Sequence, residues 1–152
     1  MTEAGLRVGV VLIGRNEGAR LVRCLESVCD GQRPVVYVDS GSTDQSVAEA
    51  QQRSALVVAL DMSRPFSAAR ARNEGWRALL AAHPGLDAVQ FIDGDCEVVP
   101  GWLEAAGAAL AGDAPSPERL AEYLGRQPPL LLLDAFAHRL GDQPLLARLQ
   151  RV

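Results

Sequence analysis

Two aspartates that flank a glycine, Asp93 and Asp95 around Gly94, follow directly on an apolar run at residues 88–92. A tight turn at the glycine can direct both carboxylates toward one point. Carboxylate oxygens are ligands that magnesium and manganese prefer, and these ions take further ligands from water or a diphosphate. A lone pair of this kind also occurs in solvated turns, so its meaning depends on what accompanies it.

Three further acidic segments each come directly after a short apolar run. Residues 14–18 contain Glu17, residues 39–44 begin with Asp39, and Asp61 follows a third run. The carboxyl ends of parallel strands form one edge of a sheet, and ligands bind there. Four acidic segments at one edge repel one another, and a divalent cation with an anion behind it would neutralise them. The sequence therefore predicts a metal-dependent anion site.

Two more features suit a phosphate or a nucleoside at this edge. Gly41 and Ser42 permit a tight turn, after which the N–H groups that begin the next helix come close to the ligand. Ordinary helix capping accounts for these two residues equally well. Arg72 lies near the start of a predicted helix, and its planar guanidinium suits phosphate, whereas a solvated helix face is the ordinary explanation for Arg70.

The apolar runs that position these residues have the character of strands buried on both faces. They lie at residues 8–13, 35–38, 55–60 and 88–92. Helical patterns alternate with them, at residues 18–29, after residue 44, and at residues 67–82 and 102–111. Strand–helix alternation of this kind predicts an α/β fold, a doubly wound and mostly parallel sheet of the Rossmann-like type.

The pattern changes after residue 112. We assign residues 1–112 to the ligand-binding domain and residues 113–152 to a tail of short amphipathic helices without a strand. Leucines in the tail would pack over the sheet, which makes the tail part of the same domain. The alternative is that they bind a partner protein or a second copy of the chain.

Composition excludes several classes of protein. A formal net charge of -4 gives no general attraction to nucleic acid or to an anionic membrane. The three cysteines contain no CxxC pair, which argues against a disulfide framework or a structural zinc site and favours a reducing compartment. The first residues contain no apolar stretch long enough for a signal peptide or a membrane span. We therefore expect a cytoplasmic protein.

Four segments together resemble glycosyltransferase family 2, whose catalytic domain has the GT-A fold. They cover residues 7 to about 111 in the family's order, and their sequences are VGVVLIGRNEGARLVRCLESV, VVYVDSGSTDQSV, ARARNEGW and VQFIDGDCEVVPGWL. Each is weak singly, but four in order are specific. The resemblance implies a protein that binds a nucleoside-diphosphate sugar through Mn²⁺ or Mg²⁺ and transfers the sugar with inversion to an acceptor.

The resemblance also assigns site residues by position. Glu17 would line the nucleoside pocket, and Asp39 would contact uracil or ribose, which favours a UDP-sugar. Arg72 would lie close to the base and the diphosphate. The family often has a second aspartate where this chain has Ser40, and both versions are common. The predicted nucleotide-binding residues are Glu17, Asp39, Ser42, Arg72, Asp93 and Gly94, and the predicted metal ligands are Asp93 and Asp95.

The catalytic base stays unassigned. In the family it lies well downstream of the aspartate pair, in a Glu-Asp segment that nothing in this chain resembles. The chain could be a fragment of a longer enzyme, a short natural protein, or a non-catalytic nucleotide-sugar-binding or interaction module. Other α/β classes fit less well, because the GxGxxG and GxxxxGK[ST] motifs are absent and the chain contains no lysine.

Overall fold

A computed structural model describes residues 6–111 and 137–139 of the chain. Its parallel strands are β1 Val8–Gly14, β2 Val35–Asp39, β3 Leu56–Ala59 and β4 Ala88–Asp93. Its helices are α1 Ala19–Val28, α2 Ser46–Gln52, α3 Ala68–Ala82 and α4 Trp102–Ala111. A short strand β5, Ala137–Arg139, completes the described sheet, whose strand order is β3-β2-β1-β4-β5. The predicted α/β fold with a mostly parallel sheet is thereby confirmed.

The sheet is covered on both faces, which is why its strands are apolar throughout. Along β1, Val10 and Leu12 pack into the core formed with α1, α2 and α4. The alternate residues Val11 and Ile13 pack into a second core against α3. Successive side chains of a strand point to opposite faces, so an unbroken apolar run serves two cores at once.

Helix α3 lies unusually close to the sheet at Gly75. A Cβ atom placed there would come within 2.5 Å of Val11 Cγ1 and 2.7 Å of Val38 Cγ2. Both distances are far inside van der Waals contact, so only glycine fits without a shift of the helix. The close approach holds the first turns of α3, which carry Arg72, against the carboxyl ends of β1 and β2.

The strand β5 differs from the helical tail that the sequence predicts. It pairs antiparallel with β4, with His138 opposite Val89. Only three residues form it, and so short a segment leaves no alternating pattern that a sequence argument could detect. The predicted tail helices and their packing fall outside the described residues. None of the described helices is long and apolar enough to cross a membrane.

Candidate functional site

A cleft of about 360 Å³ opens at the carboxyl ends of the strands. Of the residues predicted for the site, Glu17, Asp93, Gly94 and Asp95 line it, whereas Asp39, Ser42 and Arg72 lie beside it. Its remaining lining residues are Ile13, Gly14, Arg15, Ser40, Met62, Phe66 and Ala68. The strand ends therefore do converge on one concave surface, as the topology of a parallel sheet requires.

The aspartate–glycine–aspartate turn is held against the end of β1. Gly94 N donates a hydrogen bond of 2.8 Å to the carbonyl oxygen of Ile13, and Cys96 N donates one of 3.0 Å to that of Asp93. A Cβ atom at Gly94 would lie 3.1 Å from the same Ile13 oxygen, so a larger residue would push the turn outward. The glycine thus allows the close approach that fixes Asp93 and Asp95 at the cleft.

The two aspartates of the turn have different surroundings. Asp93 Oδ1 accepts a hydrogen bond of 2.8 Å from Arg72 Nη2, and both side chains are 32% exposed. Asp95 is exposed and accepts only a weak hydrogen bond of 3.6 Å from Cys96 Sγ among the described residues. The positive charge of Arg72 therefore offsets the negative charge of the Asp93 carboxylate, whereas the Asp95 carboxylate is exposed to solvent at the cleft.

No group of three or more metal-ligating side chains occurs in the part of the chain that the structure describes. A pair of aspartates still fits magnesium or manganese, since these ions are commonly held by one or two carboxylates together with water and substrate phosphates. Asp93 and Asp95 are the residues that could serve in this way. The donor set suits an ion that arrives with a phosphorylated ligand better than an ion bound alone.

Asp39 is buried and takes part in the structure of the loop after β2. One carboxylate oxygen accepts a hydrogen bond of 3.0 Å from the Tyr37 hydroxyl. The other accepts from the backbone N–H groups of Gly41, at 3.1 Å, and Ser42, at 2.9 Å. Burial raises the pKa of Tyr37, and the nearby Asp39 charge acts in the same direction. The phenol therefore stays a hydrogen-bond donor to Asp39, which is oriented from two sides.

Asn16 joins the loops that follow β1 and β2, a role that sequence reasoning missed. Its backbone N–H donates a 2.9 Å hydrogen bond to Ser42 Oγ, and its Oδ1 accepts one of 2.7 Å from Thr43 N. Asn16 adopts a positive φ of 53°, a conformation that asparagine tolerates better than most residues. The side chain of Ser42 is thus engaged in holding the two loops together.

Four cleft residues were also missed: Arg15, Ser40, Met62 and Phe66. Ser40 follows Asp39 directly, and its position after a strand end is a signal that could have singled it out. Met62 and Phe66 belong to the loop between β3 and α3, where an exposed apolar side chain has no sequence signature of its own. Only the folded structure shows that Met62 and Phe66 line the cleft.

The fold defines an α/β protein with an acidic cleft at the carboxyl ends of its strands. Residues 10–115 match the profile of Glycosyl transferase family 2, and the chain belongs to that family. It is 33% identical over 116 residues to a TPR repeat-containing protein of Synechococcus elongatus. That match covers 76% of this chain and 26% of the relative.

Solved structures of similar fold include glucosyl-3-phosphoglycerate synthase from Mycobacterium tuberculosis. Its complex with Mn²⁺, UDP-glucose and phosphoglyceric acid is 27% identical with a TM-score of 0.57, covering 90% of this chain and 57% of the synthase. Its UDP complex is 32% identical with a TM-score of 0.54, and the match covers 71% of this chain and 41% of the synthase. A Pyrobaculum calidifontis mannosyltransferase complexed with GDP-Man and Mn²⁺, 22% identical at a TM-score of 0.55, shares the fold, covering 70% and 33%.

The chain spans about a quarter of the cyanobacterial relative and about half of the synthase. These comparisons confirm the family and the GT-A type of fold that the sequence motifs predicted. They also establish a glycosyltransferase-like domain, since the family profile covers most of the described residues.

Proposed function

We propose that this chain binds a nucleoside-diphosphate sugar, with a UDP-sugar favoured, in the cleft at the carboxyl ends of its strands. The observation that supports the proposal is that Glu17, Asp93 and Asp95 line one concave surface. A hydrogen bond from Gly94 to the end of β1 fixes the turn that carries the two aspartates. Structural relatives with UDP, or with UDP-glucose and Mn²⁺, support the same ligand class. The contact of Asp39 with the nucleoside remains a prediction, because Asp39 is buried and does not line the cleft.

The proposed cofactor is Mn²⁺ or Mg²⁺, held through Asp93 and Asp95 together with the diphosphate. Bound there, the ion would offset the negative charge that grows on the leaving nucleoside diphosphate. Arg72 would contribute a fixed positive charge beside it, since its guanidinium already lies 2.8 Å from Asp93. Together these groups would favour departure of the nucleotide while an acceptor hydroxyl attacks the sugar from the opposite side, which inverts the anomeric centre.

Sugar transfer also needs a base that removes the proton of the acceptor. Glu17 and Asp93 at the cleft each pair with an arginine, with Glu17 Oε2 lying 2.8 Å from Arg20 Nη2. Neither is therefore a good candidate for a free general base. The alternative functions are a non-catalytic nucleotide-sugar-binding or interaction module, or a truncated enzyme that lacks its acceptor half. Measured turnover with an acceptor would separate these from a complete transferase.

The first test is calorimetric titration of the chain with UDP and with GDP, in Mn²⁺ and again with chelator. We expect UDP to bind more tightly than GDP and to lose most of its affinity when the metal is removed. Equal affinity with and without metal would contradict the metal-dependent part of the proposal. Failure of both nucleotides to bind would contradict the proposal as a whole.

A pair of variants locates the metal site. Asp95→Ala should remove the Mn²⁺-dependent part of UDP binding and leave the fold intact, because an exposed carboxylate contributes little to the core. Glu97→Ala is the matched control, since this exposed acid lies two residues further on, pairs with Arg23 and does not line the cleft. If both variants lost the same affinity, a general loss of negative charge would explain the effect.

Two further expectations belong to the same proposal. No disulfide joins any two of the three cysteines, which suits the reducing environment of the cytoplasm as the location. Binding of a second copy or of a partner protein through residues 113–152 also stays a prediction, because the structure describes only residues 137–139 of this segment.

A further inference from the structure

A second cavity lies at the edge of the sheet opposite to the acidic cleft. It has a volume of about 610 Å³, and its lining includes the first residues of three strands, Val8, Val35 and Leu56. This edge carries the amino ends of the parallel strands, whereas the acidic cleft lies at their carboxyl ends, and no residue lines both. A cavity of this size is large enough for a small organic molecule.

The ionisable side chains that line this cavity are basic. They are Arg7, Arg33 and His83, and they occur together with the neutral donors Gln32 and Ser54. No aspartate or glutamate of the described residues lines the cavity, in contrast to the three carboxylates of the acidic cleft. Each of the five side chains can donate a hydrogen bond, and arginine is the side chain best suited to bind an oxyanion. The lining therefore has the chemistry of an anion site.

The two arginines differ in how far other residues of the protein neutralise them. Arg33 forms ion pairs with Asp30 and Glu104, and neither acid lines the cavity. Arg7 has no acidic side chain within ion-pair distance of its guanidinium in the part of the chain that the structure describes. The positive charge of Arg7 is therefore available to a ligand, whereas that of Arg33 is already offset.

Gly85 allows the Arg7 guanidinium to lie against the turn that follows α3. A Cβ atom at Gly85 would come within 2.5 Å of Arg7 Nη1 and 2.7 Å of Nη2, so the guanidinium occupies the space of a side chain at this position. The backbone of Arg7 is fixed as well. Its N–H donates a hydrogen bond of 2.8 Å to Asp87 Oδ2, and its carbonyl oxygen accepts one of 2.9 Å from Asp87 N. Arg7 is thus held at the cavity by contacts that leave its charge unpaired among the described residues.

The other donors come from three loops at this edge. Gln32 follows α1, Ser54 follows α2 and His83 follows α3, and their side chains make no hydrogen bond to another described residue. A phosphate group has oxygens in several directions and can accept from donors on different loops, whereas a planar carboxylate suits a single arginine fork. Leu56, which is 45% exposed, adds an apolar wall that an organic portion of the ligand would cover.

We propose that this cavity is a second ligand site, which binds the phosphate group of a small organic phosphate. Arg7 supplies the positive charge, and Leu56 contacts the organic portion. The three loop residues Gln32, Ser54 and His83 donate hydrogen bonds to the phosphate oxygens. The inference goes beyond the proposed function, because this site uses neither the acidic cleft nor a metal ion.

The test titrates the full chain with phenyl phosphate, inorganic phosphate and benzoate, each with chelator present so that no metal bridges a phosphate to the acidic cleft. Amide chemical shifts in ¹H–¹⁵N spectra locate the binding site. We expect the amide signals of Gln32, Ser54 and His83 to move, and those of Gly94 and Asp95 to stay in place. Phenyl phosphate should bind more tightly than inorganic phosphate, which lacks the apolar portion, and more tightly than benzoate, which lacks the phosphate.

Two variants test the role of Arg7. Arg7→Ala should raise the dissociation constant for phenyl phosphate about tenfold or more, the loss expected when a hydrogen bond to a charged group is removed. Gly85→Ala should also weaken binding, because the added methyl group displaces the guanidinium without changing the net charge. Arg77→Ala is the control for charge, since Arg77 lies on α3 and does not line the cavity. Gly107→Ala is the control for the glycine, since the added carbon meets no atom of the described residues within 4 Å.

Four results would overturn the proposal. If neither phosphate binds, or if the signals of Gly94 and Asp95 move instead, the phosphate does not occupy this cavity. If benzoate binds as tightly as phenyl phosphate, the ligand class is wrong. If Arg7→Ala and Arg77→Ala lose the same affinity, net charge alone explains the effect. If Arg7→Ala lowers the melting temperature and leaves the affinity unchanged, Arg7 only offsets the partial negative charge at the carbonyl end of α3. None of these results depends on whether the acidic cleft binds UDP.

Discussion

At the scale of single residues, most of the acidic side chains at the sheet edge have partners within the protein that offset their negative charge. Asp93 pairs with Arg72, Glu17 pairs with Arg20, and buried Asp39 accepts three hydrogen bonds. The sequence argument assumed that mutual repulsion required a bound cation. Arginine and backbone N–H groups relieve much of that repulsion within the protein, and Asp95 is the cleft carboxylate for which the described residues provide no arginine partner.

The Arg72–Asp93 pair gives the first residue-scale prediction. Arg72→Ala should change the free energy of unfolding by less than about 1 kcal/mol, because ion pairs this exposed contribute little. It should strengthen binding of Mn²⁺ alone, since Asp93 is released, and weaken binding of UDP, since a positive charge is lost. Urea unfolding and calorimetry measure the three quantities.

Arg77→Ala is the control for that experiment. Arg77 pairs with Glu74 on the same helix at 2.9 Å and does not line the cleft. Both variants remove one positive charge from α3, so a change common to both reflects net charge alone. Unaltered Mn²⁺ affinity in Arg72→Ala would show that Asp93 takes no part in binding the free ion.

A second prediction concerns the buried thiol of Cys24. Burial raises its pKa from 9.0 to about 12, and the charges of neighbouring cysteines and aspartates add to the effect. Because the pKa is raised in the folded state, the associated stability is complete below pH 9 and is lost as the pH rises toward 12. The parent chain should therefore lose more stability between pH 8 and pH 11 than Cys24→Ala does.

Urea unfolding of both chains at several pH values measures that difference. The Cys24→Ala variant shows the pH dependence that all other titrating groups cause. Alkylation provides an independent readout. Iodoacetamide at pH 8.5 should leave Cys24 unmodified in the folded protein and modify it in urea, as detected by mass spectrometry. Rapid modification of Cys24 in the folded chain would contradict the burial on which the prediction depends.

At the scale of elements, regular patterns allowed the strands and helices to be predicted, whereas local contacts did not follow from the sequence. The run at residues 8–13 predicts a strand because every position is apolar or glycine. Both faces of β1 are covered in the structure. No comparable pattern marks β5, whose three residues depend on pairing with β4. Contacts such as Asn16 with Thr43 join residues 27 positions apart and require the folded loops.

The positions of some site residues could likewise be predicted from the sequence, whereas those of others could not. Position after a strand predicted that the acidic residues Glu17, Asp39, Asp61, Asp93 and Asp95 would meet. Glu17, Asp93 and Asp95 do line one cleft, whereas Asp39 and Asp61 do not. The same rule does not distinguish Asp39, which turns inward to Tyr37, from Ser40, which lines the cleft. Adjacent residues leave a strand in opposite directions, so the side that faces the ligand depends on the turn that follows.

The packing of α3 on the sheet gives an element-scale prediction. Gly75→Ala should lower the free energy of unfolding by about 1–3 kcal/mol, because the added methyl group overlaps Val11 and Val38. Gly107→Ala in α4 is the matched control, since no atom of the described residues lies within 4 Å of the added carbon. It should be neutral or stabilising by up to about 1 kcal/mol, as alanine favours helices. Equal effects of both changes in urea unfolding would contradict the close approach of α3.

At the scale of the whole molecule, the described part of the chain contains the cleft that we propose as the nucleotide site. The chain spans roughly half of the synthase structures to which it is similar. The cleft residues come from β1, β4, the start of α3 and the loops after β1, β2, β3 and β4. A donor site of this kind can be complete without the surface that binds an acceptor. The proposed nucleotide binding can therefore be measured without the proposed sugar transfer.

A ligand that joins several strand ends should stabilise the whole domain, which gives the last prediction. Residues from the loops after β1, β2, β3 and β4 line one cleft, so unfolding of any of these segments abolishes the site. A ligand present at about 100 times its dissociation constant adds about 2.7 kcal/mol to the free energy of unfolding. UDP with Mn²⁺ should therefore raise the melting temperature in a concentration-dependent manner, and chelator should reverse most of the rise. In Asp95→Ala the chelator should have no further effect, because the metal-dependent part is already lost. An equal rise with and without chelator in the parent chain would place the nucleotide away from the aspartate pair.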